Sequence, residues 1–134
     1  MALGWNGRYI KDLNVWGTNS VLGFSFSALD LGEDLTILNV YGPYQNMIPF
    51  WESLLKKSCL RGSSVIFGGD LNLSSRNSEV WGSHAHVDNL TVFFFERLAE
   101  RNLIDLKPIR PKPTWKNNRV GENRVAKRLD PFLG

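Results

Sequence analysis

The chain has 134 residues, 43% of them hydrophobic, which is enough for one packed domain and excludes a wholly disordered protein. Its 16 Lys and Arg against 13 Asp and Glu give a net charge of +3 and a pI of about 9.2, which suits phosphate-bearing partners without requiring them. Cys59, the single cysteine, excludes an internal disulfide framework and a cysteine-rich zinc site.

No apolar run is long enough to span a membrane, and MALGWNGRYIK at the start has no apolar core of signal-peptide length. A soluble, intracellular, reduced, single-domain chain (1–134) is expected. On that reading, the sequons at Asn72 and Asn89 are chance matches.

In chain order, Leu22, Phe24, Phe26 and Ala28 alternate with Gly23, Ser25 and Ser27, the period of a half-buried strand. Gly32-Glu33-Asp34 reads as a hairpin turn into Leu35–Tyr41, a strand apolar on both parities and so covered on both faces. Gly42-Pro43 ends it. Pro49 suits the first turn of a helix that carries Trp51, Leu54, Leu55 and Cys59 on one face and stops at Arg61-Gly62. Ser64–Phe67 is a short apolar strand broken by Gly68-Gly69. Asp88 reads as the N-cap of a second helix bearing Leu90, Phe94 and Leu98 at intervals of four. Leu103–Leu106 reads as a strand, and Lys107–Pro113, with Pro108, Pro111 and Pro113, as extended loop. Trp115 and Arg124–Leu129 are weaker strand candidates around a turn. The alternation of strands and helices makes this an α/β layered chain.

Gly68-Gly69-Asp70-Leu71-Asn72 follows a buried strand directly, and open α/β sheets place their sites where strands end. If the chain stays extended there, Asp70 and Asn72 project to one side while Leu71 packs inward. A carboxylate beside an amide can take a proton from water and hold an oxyanion. The plainer reading is an Asx turn in which both side chains cap their own backbone. Tyr41 at a strand end can donate its phenol to a phosphoryl oxygen, or simply pack at the rim. Trp115, with Asn118 and Arg119 behind it, can stack on a base or serve as a structural tryptophan. Arg124, Lys127 and Arg128 before Asp130 offer phosphate contacts, or guard an edge strand with charge. His84 and His86 have ligand-like spacing but lack the companions zinc needs.

The ordered set Asn39-Val40-Tyr41-Gly42-Pro43, Gly68-Gly69-Asp70-Leu71-Asn72, Pro113-Thr114-Trp115 and Lys127-Arg128-Leu129-Asp130 resembles the endonuclease/exonuclease/phosphatase superfamily. It looks most like the apurinic-type endonuclease domain of plant non-LTR (LINE-type) retrotransposons. The resemblance also takes in Trp16-Gly17, Tyr44, Pro49-Phe50-Trp51, Glu79-Val80-Trp81-Gly82 and Arg119-Val120-Gly121-Glu122. It implies a partial four-layer α/β sandwich of two mixed sheets flanked by helices. It also implies Mg²⁺-dependent hydrolysis of phosphodiesters, here the nicking of DNA, with a nuclear place of action by analogy.

Carried over by position, the resemblance makes Asp70 the residue that orients or deprotonates the attacking water, and Asn72 the one that holds that water or the phosphate. Tyr41 would bond the scissile phosphate, Asp130 would orient the catalytic histidine, and Trp115 would contact DNA. Asn118, Arg119, Arg124 and Arg128 are the accompanying nucleic-acid contacts. The metal-binding Glu of the family is expected ahead of Met1 and its Ser-Asp-His motif beyond Gly134. The chain therefore reads as a middle fragment, weak or inactive alone, whose own metal ligands are not assigned. The alternatives are a non-catalytic nucleic-acid-binding remnant and a pseudogene product without selected activity.

Overall fold

A computed structural model describes residues 4–57, 60, 64–74, 77–82 and 89–134. Among them the element order is β1 (Ile10–Gly17), β2 (Val21–Ala28), β3 (Glu33–Val40), α1 (Met47–Leu55), β4 (Ser64–Gly68), β5 (Val80–Trp81), α2 (Asn89–Ala99), β6 (Trp115–Lys116) and β7 (Ala126–Lys127). The expectations for Cys59, Arg61-Gly62, His84, His86 and Asp88 fall outside the described residues.

The first sheet has the order β1-β2-β3-β4. Its first three strands are antiparallel and β4 joins β3 in parallel, so the sheet is mixed. The β2–β3 turn falls at 29–32, with Gly32 at φ +68°, and Glu33 and Asp34 already belong to the ladder, paired with Ala28 and Ser27. A parallel neighbour needs a crossover, and here it contains α1. A second sheet, β5-β7-β6, is short and antiparallel. Two sheets with helices make the chain an α/β sandwich.

The main core joins Leu38 and Val40 of β3 and Phe67 of β4 to Trp51, Leu54 and Leu55 of α1 and Phe94 and Leu98 of α2. Trp51 meets Phe94 edge to face with ring centroids 4.9 Å apart, a geometry that adds to simple area burial. The opposite face of β2 and β3 carries Phe24, Phe26 and Ala28 with Leu35 and Ile37 packed against them. Both faces of β3 are therefore covered, which is why its sequence is apolar on both parities.

Beyond β4 the sheet continues by bridges rather than by full strands. Leu133 bridges Phe67 on one side and Asp105 on the other, both antiparallel. Phe67 N–H donates to Leu133 O at 2.6 Å and Leu133 N–H returns to Phe67 O at 2.9 Å. Leu106 N–H donates to Phe132 O at 2.8 Å, so Leu103–Leu106 is realised as one ladder position, limited by its short partner after Pro131. The directions of these segments matter for function. Tyr41, Asp70, Asp130 and the loop after Leu106 all lie at the same end of the sheet. Among the described residues no helix is long and apolar enough to cross a membrane.

Candidate active site at the ends of β3 and β4

Two backbone links gather the site. Where β3 and β4 end, Gly42 N–H donates to Asp70 O at 2.7 Å. One residue on, Leu71 N–H donates to Leu129 O at 2.9 Å, which brings Asp130 to the same end. Leu71 is fully buried and anchors the turn in the core, as the pattern predicted. The chain does not stay extended past the glycines, however. Gly69 has φ +116° and Asn72 φ +53°, so Asp70 and Asn72 are set by a turn rather than by a strand pleat.

The plainer reading of this segment is met at Asp70. Asp70 Oδ1 accepts from Asn72 N–H at 3.1 Å, which is the Asx turn. That leaves Oδ2 of the carboxylate without a hydrogen bond among the described residues. Asn72 Nδ2 donates to Gly42 O across the two loops, while its Oδ1 is buried and has no hydrogen-bond partner. A buried acceptor left open is uncommon, because desolvation is costly unless something bonds to it. Asn72 Oδ1 and Asp70 together present acceptors to a water or another donor.

Glycine is required at two points here. A Cβ on Gly42 would lie inside the Leu71 carbonyl, and one on Gly69 would meet the Val40 carbonyl in a backbone conformation that L residues rarely adopt. Gly42→Ala is therefore expected to push the Asp70–Asn72 turn away from its strand end. The cost is about 1–3 kcal/mol of stability, read as a lower urea midpoint with an unchanged slope.

Tyr41 is half-exposed, and its side chain is hydrogen-bonded to Tyr44, which is exposed over 74% of its surface. That bond first, then the charge of Tyr41, burial and the charge of Asp70, hold the Tyr44 phenol above its usual range. Tyr44 sat unremarked within the Tyr41-Gly42-Pro43-Tyr44 motif, and a second phenol three residues on gives no periodic signal. Asp130 is half-buried and lines an open groove after Leu106.

The expected nucleic-acid contacts divide. Trp115 (42% exposed), Asn118, Arg119 and Arg124 all lie on the β6–β7 hairpin. Asn117 pins its tip: Nδ2 donates to Asn123 O at 2.8 Å, and Oδ1 accepts from Arg119 and Val125 N–H. Lys116, Asn118, Arg119 and Arg124 border a hollow of about 300 Å³.

Arg128 requires a correction. It is 3% exposed and bonds Glu79 Oε1 at 2.6 Å and Asp105 Oδ1 at 3.2 Å, so it is a structural cation with no reach to a phosphate. Burial, the largest influence, works against its charge, but the hydrogen bonds to Asp105 and Glu79 and their charges outweigh it and raise its pKa. The basic run hid this because nothing local in it names carboxylates so distant in sequence.

Among the described residues no three His, Cys, Asp or Glu side chains stand together as a metal-binding group. Asp70 and Asn72 are oxygen donors of the kind Mg²⁺ takes, but they do not build a magnesium site by themselves.

No family model and no curated protein matches the chain. Solved structures do match in fold. The endonuclease domain of TRAS1, a telomere-specific non-LTR retrotransposon, superposes with a TM-score of 0.66 at 22% identity, covering 91% of this chain and 55% of that one. The chain shares the fold of that domain over the matched part. TDP2 from D. rerio, solved with a single-stranded DNA product, gives a TM-score of 0.51 at 15% identity over 92% of this chain and 52% of its own. The chain spans about half the length of these structures.

Proposed function

We propose that this chain is a nuclease-like domain, similar to the endonucleases of plant LINE-type retroelements, that hydrolyses DNA phosphodiesters with Mg²⁺ and does so weakly alone. One observation carries the reading. Tyr41, Asp70, Asn72 and Asp130, which are four separate positions of the sequence motifs, meet at the same end of the sheet.

In this reading the attacking water sits between Asp70 and the open Oδ1 of Asn72. Its oxygen bonds to phosphorus as its proton passes to the Asp70 carboxylate. The bond to the leaving oxygen breaks, and that oxygen takes a proton from solvent. Tyr41 donates to a non-bridging phosphoryl oxygen, so it opposes the charge that builds there. A DNA-nicking role places the chain in the nucleus. The test is nicking of supercoiled plasmid with Mg²⁺ and with EDTA, by a chain first shown to be folded.

A second reading, DNA binding without catalysis, is favoured by the exposed Trp115 beside Arg119 and Arg124. Binding that survives Asp70→Ala, from a chain that never nicks above the EDTA background, would select it.

A further inference from the structure

Residues Lys107–Lys112 of the proline-rich loop belong to none of the motifs above, yet the loop leaves the sheet at the site end. The Asp105 segment is antiparallel to Leu133, and Leu133 is antiparallel to β4, so the chain at Leu106 runs in the same direction as β4. Lys107 therefore emerges beside Asp130. The loop is held at both ends: Leu106 N–H donates to Phe132 O at 2.8 Å and Thr114 N–H donates to Lys127 O at 2.9 Å. Between these tethers Pro108, Pro111 and Pro113 restrict the backbone, so its cations are presented at little entropic cost.

Lys107, Arg110 and Lys112 line an open groove of about 630 Å³ with Asp130 at one side. All three are exposed, and among the described residues none has a carboxylate within ion-pairing distance. Arg128 in the groove wall is engaged inside the chain by both Glu79 and Asp105, so the cations offered to solvent are those of the loop, with Asp130 facing them. Leu106, Pro108 and Phe132 line the groove as well, and its three cations suit a row of phosphates.

We propose that this groove is a second phosphate track, along which the DNA backbone runs from the Asp70 site past Asp130 and over Lys107, Arg110 and Lys112. The proposal rests on the nuclease-like reading and adds to it the path of the strand, on a surface separate from the β6–β7 hairpin. Phosphate contacts fix register and supply affinity rather than sequence preference. Each contact releases counterions, so each is counted by the salt dependence of binding.

The test is a fluorescence titration of the whole chain with a short DNA duplex at several salt concentrations. The variant carries Lys107→Gln, Arg110→Gln and Lys112→Gln together. Its slope of log affinity against log salt is expected to flatten by about 2–3, with affinity near 0.1 M salt falling on the order of 100-fold. A control, Arg8→Gln with Lys11→Gln at the opposite edge of the sheet, is expected to change the slope by less than about half a unit. A slope unchanged in the triple variant while the parent chain binds DNA overturns the track and leaves the nuclease-like reading standing. A parent chain that binds no DNA at any salt overturns both. A flattening equal in the triple variant and the control overturns the track as well, since the effect is then one of net charge.

Discussion

Replacing Asp70 by Ala is expected to lower plasmid nicking by about 10³-fold, about 4 kcal/mol of transition-state stabilisation. The substitution removes both roles of the side chain, the Asx-turn acceptor for Asn72 N–H and the proposed acceptor of the water's proton. Asp70→Asn separates them. An amide oxygen still accepts from Asn72 N–H and keeps the turn, but it takes no proton from water at neutral pH. Asp70→Asn should therefore nick almost as poorly as Asp70→Ala while unfolding at the parent's midpoint. Its DNA affinity should equal or exceed the parent's, because one negative charge has left the phosphate's neighbourhood. Single-turnover assays with protein in excess suit a weak enzyme. Full activity in either variant would remove Asp70 from the chemistry.

Arg128→Ala is expected to cost about 3–5 kcal/mol of stability, against a usual total of about 5–15 kcal/mol. The guanidinium lies between Glu79 and Asp105, with the side chains of all three at least 96% buried. Both carboxylates share this one cation, so its removal takes a close, buried partner from each of them. The three residues come from the segment before β5, the bridge at Asp105 and the end of β7, so the loss would loosen the second sheet from the first. Thermal unfolding should show a lower midpoint for Arg128→Ala, with Arg128→Lys recovering part of it, since an ammonium carries the charge without the two-armed geometry. Replacing all three by apolar residues of similar volume is expected to be far milder than Arg128→Ala, because it also removes the buried anions. An Arg128→Ala chain as stable as the parent would refute the structural role and reopen Arg128 as a phosphate contact.

Much of the first sheet is legible in sequence because its strands bury a regular face. The alternation in β2 and the two-sided apolarity of β3 each report packing directly. α2 shows Phe94 and Leu98 buried one turn apart, as their spacing predicts. By contrast, β1 is invisible to periodicity. It is an edge strand whose register shifts between Lys11 and Asn14, with Asp12 at φ +54°, so its half-buried Leu13 and Trp16 fall out of step. A bulge costs a sequence pattern its phase.

The same division runs through the site. The places of Asp70, Asn72 and Tyr41 at the strand ends follow from short motifs that close β3 and β4. Tyr44 is placed by a turn, Arg128 by partners far off in sequence, and the Lys107–Lys112 cations by a bridge only one ladder position long. Where long-range contacts decide which way a side chain faces, the local sequence says little, and a basic run reads alike whether it meets phosphate or buried carboxylate.

The most direct test of the central claim is a backbone amide NMR titration of the folded chain with a short DNA duplex, in Mg²⁺-free buffer so that cleavage does not run. The account predicts that the amides of Gly42, Leu71 and Asn72 at the strand ends shift as the DNA binds, together with those of the Lys107–Lys112 loop. Saturation by DNA with these amides unmoved would contradict it.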